Sequence, residues 1–225
     1  MTENEVDKGR KSPAVLLLIS THCAHCAAAL QIVTAMVKQG EIAELNIVNL
    51  EQKPEVAEAM GVRAVPWMRI GELVFEGQMT QQAIRDWIDR AGAQDAESGY
   101  LSERLVEGDV NQAIAYIRKH PESITLLVEL MKDADARINL KLGIGVVFEE
   151  FATDPVMDAA VPELLALLKH EDARVRADAC HYLSLTGRAE LVEKLEPCLS
   201  DDDATVREIG RESIAALQDR ADSNG

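Results

Sequence analysis

The sequence predicts an α/β domain built on a mixed sheet, followed by an all-α domain of stacked helix pairs. Three observations lead there. Between residues 13 and 93, apolar runs with strand character alternate with helical stretches in the order βαβαββα. Near Gln94 the strand signals stop, and helical periodicity continues along the rest of the chain. Within that helical part, one short pattern recurs at offsets of 31 and 37 residues.

Taken in order, residues 1–12 are polar and charged and read as a solvated tail. The apolar run from Ala14 to Ile19 reads as a buried strand. A helical stretch follows from Cys26 to Lys38, with Gly40 placed to end it. A second strand is expected around Leu45–Leu50. Glu51-Gln52-Lys53-Pro54 then turns the chain into a short helix, Glu55 to Met60. Strands at Trp67–Ile70 and Leu73–Phe75 flank a turn at Gly71-Glu72, and Gly77 ends the second of them. The last helix of this part, Thr80 to Ala91, carries Ala83, Ile84, Trp87 and Ile88 at helical spacing. Such an alternation implies a mixed sheet with helices on both faces. A short polar linker is expected over Gly92–Ser98, ahead of a helical domain at 97–220.

The helical part repeats. Leu168 to Arg176 (LKHEDARVR) matches Leu199 to Arg207 (LSDDDATVR), and Met131 to Ile138 (MKDADARI) is an earlier, weaker copy. Each has an apolar helix, an acidic turn, and Ala-x-Val or Ala-x-Ile opening a second helix. Asp135, Asp172 and Asp203 are each placed to cap that second helix. Paired helices recurring in this way stack into a solenoid whose long surface suits protein partners.

Charge narrows the partners. Acidic residues outnumber basic ones by 39 to 23, and 27 of the acids lie in residues 95–225. A surface this acidic repels a nucleic-acid backbone. The first apolar run is too short for a membrane span and has no cleavage pattern, so a soluble cytoplasmic protein is expected, with no membrane partner. Four cysteines are too few for a disulfide-rich secreted scaffold.

The chemistry is concentrated in Thr21-His22-Cys23-Ala24-His25-Cys26, at a strand-to-helix junction. Unsatisfied N–H groups at a helix start stabilise a thiolate, the reactive form of cysteine. A Cys-x-x-Cys pair near a βαβ pattern reads as a thiol–disulfide redox motif.

Several separated pieces now make residues 13–92 resemble the thioredoxin superfamily: the Cys23-Ala24-His25-Cys26 motif after the first strand, Gly61-Val62-Arg63-Ala64-Val65-Pro66, and a closing hairpin through Gly71-Glu72 and Phe75-Glu76-Gly77. The helical part resembles HEAT repeats of the short type known from phycobilisome lyases, best over 155–218. The first resemblance implies that Cys23 attacks a client disulfide and Cys26 resolves the mixed disulfide. It also implies a cis bond before Pro66, with the Val65 amide left to pair with a client strand. Trp67, where the family has a small residue, is either a stacking platform beside the disulfide or a core residue. The chain departs from thioredoxin proper in having His22, Ala24 and His25 around the cysteines, and Leu17 where the family has a buried acid. That leaves the proton acceptor for Cys26 unidentified. By analogy with a periplasmic oxidase that also has histidine before its second cysteine, His25 is expected to favour the Cys23 thiolate and make the pair less reducing than thioredoxin. The alternative is that His25 is a solvated helix residue with little effect on the pair.

Two other readings compete. His22, Cys23, His25 and Cys26 resemble the ligand set of a soft-metal chaperone, but that fold has no place for the proline segment or the final ββα order. Alternatively, the helical domain carries the biology and the redox unit regulates it. Cys180 and Cys198 are expected to be packing residues. The preferred reading is a thiol–disulfide oxidoreductase with catalytic Cys23, Cys26 and His25, and with client contacts at Val65, Pro66 and Trp67. It needs no metal and no cofactor beyond the dithiol. Its expected partners are a protein client with a disulfide or thiol, and an electron donor such as glutathione or a reductase. A homodimer is the other arrangement left open.

Overall fold

The computed structural model describes residues 13–91, 93 and 95–223, with side chains described as far as Arg220. The expected tail at 1–12 and the linker positions Gly92 and Gln94 lie outside the described residues. The chain divides into two compact units between Glu97 and Ser98.

In the first unit, β1 (Val15–Ile19), α1 (Ala24–Lys38), β2 (Leu45–Asn49), α2 (Pro54–Met60), β3 (Trp67–Ile70), β4 (Leu73–Glu76) and α3 (Gln81–Arg90) follow the expected βαβαββα order. The four strands form one sheet in the order β2-β1-β3-β4. β1 runs parallel to β2 and antiparallel to β3, and β3 pairs antiparallel with β4. With a strand on each side, β1 is central, so Val15, Leu17 and Leu18 are buried although they face alternate sides of the sheet. The edge strand β2 leaves Ile47 exposed.

α1 buries Cys26, Ala29, Val33 and Met36, spaced at three and four residues. α3 buries Ile84, Trp87 and Ile88, and the Trp87 ring meets Phe75 of β4 at 5.3 Å. A bidentate ion pair from Arg85 of α3 to Glu41, just after α1, ties the two helices together. Each helix is capped by its own side chain: Cys23 for α1 and Thr80 for α3. α2 begins at Pro54, which suits the first helical turn, and buries no residue.

The second unit is helical throughout: α4 (Ala96–Glu107, shared with the end of the first unit), α5 (Val110–Lys119), α6 (Ile124–Met131), α7 (Ile138–Glu150), α8 (Met157–Leu167), α9 (Ala173–Leu185), the short α10 (Val192–Leu195) and α11 (Ala204–Ser223), with 3-10 turns at Pro121–Ser123, Ala189–Leu191 and Glu196–Ser200. α4 starts at Ala96, so the last residues of the expected linker are helical.

The 31-residue repeat is reproduced in its capping and closing hydrogen bonds. Asp172 accepts from the N–H of Arg174, and Asp203 from that of Thr205. Arg176 donates to the carbonyls of His170 and Glu171, and Arg207 to those of Asp201 and Asp202. Val175 and Val206 are both buried. The aspartate thus caps the second helix, and the arginine closes the carbonyls of the preceding turn.

The earlier copy corrects the expectation. Asp135 does not cap α7, which begins only at Ile138 with no side-chain cap. Instead Asp135 accepts from Arg174 at 3.1 Å. Asn139 stands where the other copies have the closing arginine, and Lys141, two residues further on, donates to the Ala134 carbonyl in its place. Ile138, equivalent to the buried valines, is 66% exposed. The acidic run Asp201–Asp203 also divides its labour. Asp203 caps α11, while Asp201 holds Arg176 in a bidentate pair that is largely withdrawn from solvent.

A candidate dithiol site at the start of α1

Cys23 is the N-cap of α1, and Cys26 sits in its first turn. The Cys26 N–H donates to the Cys23 sulfur at 3.1 Å. Cysteine thus does here what Ser or Asp does at an ordinary cap: it accepts from an otherwise unpaired N–H. The two sulfurs are joined as a disulfide. Their environments differ. Cys23 is half-buried at the surface, whereas Cys26 is 2% exposed within the core. Once the pair is reduced, the cap N–H and the positive end of the helix both favour negative charge at Cys23.

The loop before β3 supplies the opposing wall. The Val65–Pro66 peptide is cis, and the Cys23 sulfur lies 3.5 Å from the Val65 carbonyl oxygen. Pro66 is buried, and its carbonyl accepts from the N–H of Gly77 at 2.8 Å. Gly77 has φ +86°, a left-handed conformation that glycine adopts without steric cost. The end of the hairpin thereby holds the proline loop against the dithiol.

Of the residues expected at the site, Cys23, Cys26 and Val65 meet there. Trp67 is only 4% exposed, in the middle of the sheet opposite Leu18 and Glu76. Of its two expected roles, this burial favours the core one. His22 and His25 are exposed. Leu17 is fully buried, so no carboxylate occupies the position of the family's buried acid.

Sequence reasoning missed the anchor of the cysteine loop. Glu51 accepts from the N–H of Thr21 at 2.9 Å, and the Asn49 amide donates to the Thr21 hydroxyl at 3.1 Å. The Asn49 side-chain oxygen, Oδ1, in turn accepts from the Glu51 N–H. The loop after β2 thus holds the loop after β1. The hydrogen bonds from Thr21, with the nearby His22, keep the Glu51 carboxyl below its ordinary range. The available signal was Asn at a strand end two residues before an acid, a local pattern in which the Asx side chain accepts from the backbone two residues on.

Among the described residues, no helix is long and apolar enough to cross a membrane. No curated protein matches the chain. Two family models do: residues 14–89 match that of the thioredoxin domain, and residues 149–217 match that of HEAT repeats. The chain carries a thioredoxin domain followed by HEAT repeats.

Proposed function

We propose that this chain is a thiol–disulfide oxidoreductase acting on protein disulfides, with the HEAT repeats as its protein-docking module. The observation that carries the reading is the asymmetry of the dithiol: a surface Cys23 at the helix cap and a buried Cys26 one turn in. The surface sulfur of a reduced pair attacks a client disulfide. A Cys23–client bond forms as the client's own bond breaks, and the departing client sulfur takes up a proton. Cys26 then attacks Cys23, restoring the Cys23–Cys26 bond and releasing the second client thiol. Two electrons pass to the client; the reverse sequence oxidises one. His25, exposed in the first turn of α1, supports the Cys23 thiolate, and the backbone of Val65 receives the client chain.

The docking role is supported by α7. Its residues Ile138, Leu142 and Val146 recur every four positions and are 66%, 62% and 48% exposed, an apolar stripe in the more acidic part of the chain. A client with a basic, partly apolar surface complements it. We place the protein in the cytoplasm, with a glutathione- or reductase-type electron donor.

The test uses the two single-cysteine variants. Cys23→Ser is expected to abolish disulfide exchange, and Cys26→Ser to accumulate a mixed disulfide through Cys23. In the reduced protein, alkylation at mildly acidic pH is expected to label Cys23 first. Faster labelling of Cys26 overturns the assignment.

A further inference from the structure

Cys180 of α9 and Cys198 of the 3-10 turn Glu196–Ser200 lie 18 residues apart in sequence, and both are buried. The Cys180 thiol donates to the Cys198 sulfur at 3.2 Å. α11 packs against both α9 and this turn. A Cβ placed on Gly210 of α11 would lie 3.0 Å from the Cys198 Cβ, a tight contact that glycine avoids. Burial alone, the ordinary account of a buried free cysteine, does not require two sulfurs to face each other.

We propose that Cys180 and Cys198 are a second redox site, oxidised by peroxide to a disulfide that staples α9 to the turn beneath α11. Two features favour it. A disulfide needs sulfurs at about 2.05 Å, so closure takes only about 1 Å of approach. The turn around Cys198 also belongs to a stretch, 189–200, made of two 3-10 segments and a single four-residue helix. Short elements of this kind open at lower cost than long helices and admit a small oxidant.

The chemistry balances with peroxide as the oxidant. The Cys180 thiol donates to the Cys198 sulfur at 3.2 Å, and Cys198 lies in the short 3-10 turn rather than in α9; that hydrogen bond favours negative charge at Cys198, and the same bond, with burial, raises the Cys180 pKa. Cys198 is therefore the attacking sulfur. It bonds to one peroxide oxygen, the O–O bond breaks, and the departing oxygen leaves as water, giving a sulfenic acid. Cys180 attacks that sulfur and expels the second oxygen, which leaves as water with the last thiol proton. Two thiols are oxidised, and one peroxide becomes two waters.

The experiment treats the full chain, its Cys23–Cys26 pair already oxidised, with hydrogen peroxide. The chain is then denatured, alkylated and digested with trypsin without reduction. The expected product joins peptides 177–188 and 195–207, lighter by two hydrogens than the two thiol peptides together. In Cys180→Ser, Cys198 should instead be trapped by a sulfenic-acid reagent. Recovery of both wild-type peptides alkylated, or of Cys198 as sulfinic or sulfonic acid without the cross-link, overturns the proposal. So does failure of the Cys180→Ser variant to yield the sulfenic adduct. None of these outcomes depends on exchange at Cys23.

Discussion

His25 stands in the first helical turn of α1, where a proline is tolerated because the N–H it removes has no partner inside the helix. His25→Pro therefore removes the imidazole without breaking the helix. The variant is expected to hold less Cys23 thiolate at neutral pH and to be more reducing, with a potential lower by tens of mV, on the order of 30 mV for each tenfold change in the equilibrium. A redox titration against glutathione that gives an unchanged or higher potential removes His25 from the site. Asp172 tests a carboxylate of a different kind. Hydrogen bonds from the Arg174 guanidinium and backbone hold its pKa at about 2, below the ordinary 3.8. A depressed carboxyl stabilises the fold above its unfolded pKa, and that contribution is lost as pH falls through the folded value. In an NMR titration of the carboxyl carbons, Asp172 should still be ionised at pH 3. A midpoint near 4 breaks the assignment.

At the scale of the element, the repeats separate a true cap from a look-alike. Asp203 accepts from the N–H groups of Thr205 and Val206 at the start of α11. Asp203→Ala should cost about 1 kcal/mol. Asp135 occupies the same place in the sequence pattern, yet its side chain is 88% exposed and only pairs with Arg174. Asp135→Ala should change stability by less than about 0.5 kcal/mol. Urea unfolding of the two variants measures the difference, and equal losses would mean that α7 starts further back than Ile138. The motif was legible in the sequence. Which copies complete it was not, because the closing Arg176 and Arg207 act through carbonyls five and six residues earlier, on a turn whose shape only folding determines.

For the whole molecule, the proposed division places chemistry in the thioredoxin domain and client choice in the repeats. Leu142→Lys puts a positive charge into the exposed α7 stripe without touching the buried Leu140, Ile144, Val147 and Phe148. In the Cys26→Ser background, this change should reduce capture of a basic protein client about tenfold, equivalent to 1.4 kcal/mol. Exchange with a small artificial disulfide should stay unchanged. Raising the salt concentration should also slow capture of the protein client, because exposed charges are screened within about 10 Å at 0.1 M. Equal capture by both proteins would leave α7 out of the docking surface.

The sequence by itself determined the order of strands and helices, the place of the dithiol at a helix start, and the 31-residue repeat. Each is local or periodic: alternation of apolar runs, a cap position, and a recurrent turn. Tertiary structure decided what depends on distant parts of the chain meeting. Burial in the sheet makes Trp67 a core residue, since β3 lies between β1 and β4. Glu51 anchors the cysteine loop from 30 residues away. Cys180 and Cys198 face each other where α11 packs against both α9 and the turn that carries Cys198. None of these meetings leaves a periodic trace in sequence, because each partner's residue type is ordinary where it stands and gains its role from what the fold brings beside it.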